Sequence, residues 1–138
     1  MFKNILNYLL AKLGTANLGL RAAETILKNY TFERKIPFEE WTQRIVEQLE
    51  KISKDGEFTN NEAAEFIEYI STVIPKNMYL SISLKIAQTV LRNVDYSASI
   101  PYSGWANDMA KQFREIADDG KVTNVELANL VKFIRENR

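Results

Sequence analysis

The chain has no cysteine and no histidine. Without cysteine there are no disulfides, no thiolate metal sites and no cysteine nucleophiles. The missing histidine says more. It removes the usual general base, the usual zinc and iron ligand and the usual pH switch. Hydrolase triads in their common forms are thereby excluded. Carboxylates, Lys, Tyr, Ser and Thr remain for chemistry, and no paired constellation of them stands out. Net charge is absent too: 18 basic and 18 acidic residues balance. No global field draws the chain to nucleic acid or to an acidic membrane, although a local basic patch stays open. No apolar run is long enough to span a bilayer, and no segment has the continuous apolar core of a secretory signal. A cytoplasmic protein is expected.

What is present is an ordinary globular composition, 46% hydrophobic and 26% charged over 138 residues. Those figures fit one folded domain with a sizeable core. The two tryptophans, Trp41 and Trp105, lie 64 positions apart, and at that shift the halves overlay without a gap. Ile36, Pro37 and Phe38 fall on Ile100, Pro101 and Tyr102. Asp55 and Gly56 fall on Asp119 and Gly120, and Thr59, Asn60 and Glu62 fall on Thr123, Asn124 and Glu126. Upstream, Leu20, Ala23, Leu27 and Asn29 meet Leu84, Ala87, Leu91 and Asn93. Chance does not hold Trp, Pro and Asp-Gly in one register, so the chain is read as an internal duplication. The expected fold is all-α: two tandem three-helix units plus an N-terminal amphipathic helix. The single domain 1–138 comprises a leader helix 1–16, unit one 17–74 and unit two 81–138.

In each unit the first helix is expected at 18–29 and 82–93, followed by loops at 30–35 and 94–99. The second helix is expected to open on Pro37 or Pro101, since proline suits the first helical position. Phe38, Trp41, Ile45, Leu49 and Ile52 form its apolar stripe, matched by Tyr102, Trp105, Met109, Phe113 and Ile116. Both tryptophans are therefore expected in the core, in equivalent places. Gly56 and Gly120 close the second helix in the left-handed conformation. Thr59 with Glu62, and Thr123 with Glu126, are capping boxes that open the third. Glu47, Glu50, Glu62, Glu65 and Glu68 read as a solvated acidic face, with a basic partner as the sharper alternative. Glu47, Glu50, Glu57 and Glu68 become Lys111, Arg114, Lys121 and Lys132 in unit two. This charge inversion suits head-to-tail contact between units, or drift on solvent faces.

The run Asp-Gly-x-apolar-Thr-x-x-Glu occurs at 55–62 and again at 119–126. It resembles the second half of an EF-hand calcium loop. The first half does not match: Lys51 and Glu115 hold the first-ligand positions, and Ser53 and Ala117 the third. The resemblance makes Glu115, Asp119 and Glu126 the metal candidates, with a structural turn and capping box as the reading preferred over any metal. It also implies that the two turns pair through Phe58 and Val122 in a short antiparallel bridge.

The leader carries Phe2, Ile5, Leu6, Leu9 and Leu13 on one face, with Lys3 and Lys12 elsewhere. That face packs on its own domain, docks a partner or a second copy, or rests on a membrane surface. It supplies the candidate partner-binding residues. Taken together, the sequence points to a noncatalytic helical protein-interaction module: an adaptor, an inhibitor, or a structural or virion-accessory component. No cofactor and no nucleic acid are implied. The alternatives are a calcium- or small-ligand-binding EF-hand-like domain and an enzyme working through carboxylates or Tyr.

Overall fold

The computed structural model describes the backbone of residues 2–94, 96–100 and 103–137, and side chains from residue 14 onward, residue 103 excepted. The protein is all-α, with two three-helix units, and the N-terminal amphipathic segment extends the first helix. The order is α1 (Phe2–Asn29), β1 (Glu33–Lys35), α2 (Glu40–Asp55), β2 (Glu57–Thr59), α3 (Asn60–Val73), α4 (Met78–Asn93), β3 (Ser97–Ser99), α5 (Ser103–Asp119), β4 (Lys121–Thr123) and α6 (Asn124–Glu136). The ends of α1 and α4 at Asn29 and Asn93, and both strand pairs of ranges, repeat at the 64-residue shift. The leader runs without a break into the first helix, because a lone Gly14 weakens a helix without interrupting it.

Local chemistry sets the helix ends. Gly56 and Gly120 adopt φ of 73° and 72°, and their N–H groups donate to the Ile52 and Ile116 carbonyls. Only glycine takes that conformation without a steric cost. Thr59 and Thr123 each complete a capping box with Glu62 and Glu126. The second helix departs from expectation at its start. Pro37 lies outside it, and a turn in which Trp41 N–H donates to the Phe38 carbonyl precedes the regular helix. Phe38 consequently leaves the core and is exposed, with the Arg44 guanidinium over its ring at 5.7 Å. Pro101 and Tyr102 lie outside the described residues.

The units do not form two side-by-side bundles. They interlock. α1 packs on α4 and α6, α3 packs on α4, and α2 packs on α5. Within unit one, α2 and α3 touch only lightly. The loops expected at 30–35 and 94–99 contain β1 and β3, and these pair across units: β1 antiparallel with β4, β2 with β3. Phe58 therefore stands opposite Ala98, and Val122 opposite Arg34. This overturns the paired-turn expectation, since each turn is occupied by the other unit's loop. Phe58 is nonetheless fully buried, with ring centroids 5.8 Å from Phe66 and 5.3 Å from Phe133.

One core results. Leu20, Ala23 and Leu27 of α1 and Leu84, Ala87 and Leu91 of α4 belong to it, with Ile45, Leu49, Ile52, Phe113 and Ile116 from the α2–α5 pair. Trp41 is fully buried, and its indole Nε1 donates to the Tyr69 carbonyl at 3.1 Å and to Thr72 Oγ1 at 2.9 Å. Trp105 makes the equivalent edge contact, on Phe133 where Trp41 has Tyr69, but is only half-buried. The counterpart of Thr72 is Glu136, whose carboxylate faces Lys132 and Arg135 instead. The two indoles thus share a position and differ in burial.

Candidate functional site: the outer face of the α1–α4 pair

α1 and α4 meet at a pair of equivalent residues. A Cβ on Gly19 would lie 2.8 Å from the Ser83 carbonyl and 3.4 Å from Ala87 Cβ, so the two backbones are in direct contact there. Residues 19 and 83 are related by the repeat, which puts the pseudo-twofold axis through this crossing. Immediately before the crossing on each helix stand Leu18 and Ile82. They point away from the core stripes Leu20–Leu27 and Leu84–Leu91 and flank the crossing on the outer face.

That face is apolar. Leu18 is 69% exposed, Met78 67%, Tyr79 70%, Ile82 49% and Ile86 43%. On α4 these side chains recur one turn apart, at 78, 82 and 86 with 79 beside them, while the opposite stripe of Leu80, Leu84, Ala87 and Leu91 is buried. α4 is therefore apolar on two sides, and the fold covers only one. Large apolar residues gathered on one exposed face, rather than scattered singly, mark an interaction surface.

The candidate partner-binding residues Phe2, Ile5, Leu6, Leu9 and Leu13 belong to α1, which spans 28 residues or about 42 Å at a helical rise. Their side chains lie outside the described residues. In sequence, positions 2, 6, 9 and 13 continue the alternating four- and three-residue spacing of the buried Ala16, Leu20, Ala23 and Leu27.

The turns hold no comparable convergence of ligands. Asp119 Oδ1 accepts from the Lys121 N–H, and Glu126 Oε1 accepts from the Thr123 N–H and hydroxyl. Glu115 is exposed on α5. Among the described residues, no group of three or more Asp or Glu is placed to hold a metal ion. The turn carboxylates that the EF-hand resemblance singles out are engaged with the backbone.

The acidic face is smaller than the sequence suggests. Glu62 is buried in its capping box and does not belong to it. Glu50 pairs with Arg114, Glu68 with Arg92 at 2.6 Å, and Glu65 accepts from Gln48. At 50 and 114 the charge inversion between units is thus a contact between units within the chain. Asn60 and Asn124 hold a place that the sequence does not single out, for both are buried. Asn60 Nδ2 donates to the Val94 carbonyl at 2.7 Å, and Asn124 Nδ2 to the Leu27 carbonyl at 2.6 Å. Their backbone N–H groups donate to the Tyr96 and Phe32 carbonyls. Each asparagine ties its own third helix to the end of the other unit's first helix. Their coincidence at the repeat was visible in the sequence; their partners were not, being 34 and 97 residues away.

No protein-family model, no curated protein and no solved structure matches the chain. Among the described residues no helix is long and apolar enough to cross a membrane.

Proposed function

We infer that the protein is a noncatalytic helical interaction module, an adaptor, inhibitor or structural component, that docks a protein partner through the outer face of α1 and α4. The observation that carries this reading is the second apolar stripe of α4. Tyr79, Ile82 and Ile86 stay in water while the stripe behind them is buried. Burying that stripe against an apolar partner surface releases ordered water and supplies the driving force for association. In sequence, the leader adds a further apolar stripe, with Phe2, Ile5, Leu6, Leu9 and Leu13 on one helical face. The absence of His and Cys from the whole sequence supports a binding role over an enzymatic one. We place its action in the cytoplasm.

The test is a paired affinity capture from the native cell, using the intact protein and an Ile82→Lys, Ile86→Lys double variant. Both substitutions are at exposed positions and should leave the melting temperature unchanged. Recovery of a specific protein partner should fall by about tenfold or more with the variant, a loss of about 1.4 kcal/mol or greater. Equal recovery by the two proteins would remove the α4 face from the function.

A further inference from the structure

We propose that the surface joining the two units is also a self-association surface: unit one of one copy closes on unit two of a second copy, in place of its own. This inference is independent of the outer face of α4.

Four features carry it. The helix packing that buries the core runs between units, α1 on α4 and α6, α3 on α4, α2 on α5. Both strand pairs are inter-unit, and their registers are copies of one another: Arg34 opposite Val122 repeats as Ala98 opposite Phe58. The buried Asn60 and Asn124 each bond the other unit's backbone. Equivalent residues face each other on one axis, Gly19 against Ser83 at the α1–α4 crossing and Glu50 against Arg114 at the α2–α5 crossing. That is the geometry of a closed twofold dimer, in which the same patch of each half meets its counterpart. Here both halves are carried on one chain.

A unit separated from its counterpart would expose most of the apolar surface that the core now buries. Its counterpart is defined by sequence and is present in every copy of the chain. The units are joined covalently only through residues 74–77, where Ile74 and Asn77 are extended, Lys76 makes a bend, and Asn77 caps α4 through the Leu80 N–H. If that connection opens, two chains exchange units with every inter-unit contact kept. The balance between closed monomer and exchanged dimer is then set by concentration against the effective concentration that this short connection imposes.

The test uses the whole chain with a protease recognition sequence inserted between Lys76 and Asn77. One preparation carries an N-terminal affinity tag and the other is isotope-labelled. Both are cut, mixed, unfolded in denaturant and refolded together. The tagged first halves should recover labelled and unlabelled second halves in about equal share, with the helical signal of the uncut protein. Halves that separate on refolding, helical or not, would overturn the proposal. A second variant of the full chain, lacking Pro75 and Lys76, shortens the connection so that α4 cannot fold back on α3. It should run at twice the monomer mass with unchanged helicity, and a folded monomer would count against the exchange.

Discussion

Two glycines in one helix should respond to the same substitution with opposite signs. Gly14 and Gly19 both lie within α1. Glycine in a helix interior costs about 1 kcal/mol relative to alanine, so propensity alone has both Gly→Ala changes stabilising. At Gly14 nothing lies within 4 Å of an added Cβ, and Gly14→Ala should gain about 0.5–1 kcal/mol. At Gly19 the added carbon would sit 2.8 Å from the Ser83 carbonyl oxygen. That oxygen belongs to the backbone of α4 and cannot swing aside, so the helices must part. Parting them loosens the packing of Leu20, Ala23, Leu84 and Ala87 around the crossing. Overpacking of this kind costs about 1–3 kcal/mol, which outweighs the propensity gain. The middle of that range less the propensity gain gives a net loss of about 1 kcal/mol for Gly19→Ala. Urea unfolding followed by far-ultraviolet circular dichroism reads both variants, and thermal melts should separate them by about 5–10 °C at this chain length. If Gly19→Ala is as stable as the parent, the close backbone approach at the pseudo-twofold axis is wrong.

Phe58→Ala should cost about 3–5 kcal/mol in urea unfolding, because the ring is fully buried between Phe66 and Phe133. Asp119→Ala removes the acceptor for the Lys121 N–H and should cost about 0.5–1.5 kcal/mol, while millimolar calcium should leave the melting temperature of the parent unmoved; a calcium-dependent rise would revive the metal reading. Burial, reinforced by Glu65, raises the Tyr69 hydroxyl above its ordinary value of 10.0, so the folded state resists its ionisation. The stability it contributes is complete below that value and is lost as pH climbs through the raised one; Tyr69→Phe should flatten this part of the alkaline loss in pH-dependent melts.

Helix identity and most boundaries are legible because local chemistry writes them. The Asp-Gly turns and the Thr–Glu capping boxes act within a few residues, and the structure keeps both at each of the two repeats. The strands were hidden for the opposite reason. Glu33–Lys35 and Ser97–Ser99 are three residues long and have no apolar alternation, so they become strands only because the other unit's turn arrives beside them. Interlocking was hidden as well, because a periodic stripe says that a face is buried and not against what. The pairing of Phe58 with Val122 has a different origin, the half-matched EF-hand resemblance, and it fails because the other unit's loop brings Ala98 opposite Phe58 instead. The outer face of α4 fell to a related ambiguity. Leu80, Leu84, Ala87 and Leu91 form one stripe and Tyr79, Ile82 and Ile86 another, and a helix apolar on two sides is ordinarily covered on both. Ile82 and Ile86 beside the Leu84 stripe were the available signal. Phe38 misled in the reverse sense: a turn after Pro37 put it outside the helix whose spacing it shares.

The second pair of equivalent residues in contact, on α2 and α5, bears on which halves associate. A residue on a twofold axis meets its own counterpart, so in a dimer of identical halves Glu50 would meet Glu50. Duplication lets the counterpart differ, and here Arg114 stands opposite Glu50. The side chains are 47% and 55% exposed, so solvent screening keeps the pair to about 0.5 kcal/mol. Its weight lies in discrimination: unit one against a second unit one places like charges together, while unit one against unit two does not. Glu50→Arg and Arg114→Glu alone should each destabilise by about 0.5–1 kcal/mol through loss of the pair and repulsion. The double exchange restores an unlike pair and should return stability to within a few tenths of the parent. The coupling should shrink in high salt, as it does for exposed charges. Additive single effects, unchanged by salt, would mean that the two side chains do not meet, and the axis would then rest on Gly19 and Ser83 alone.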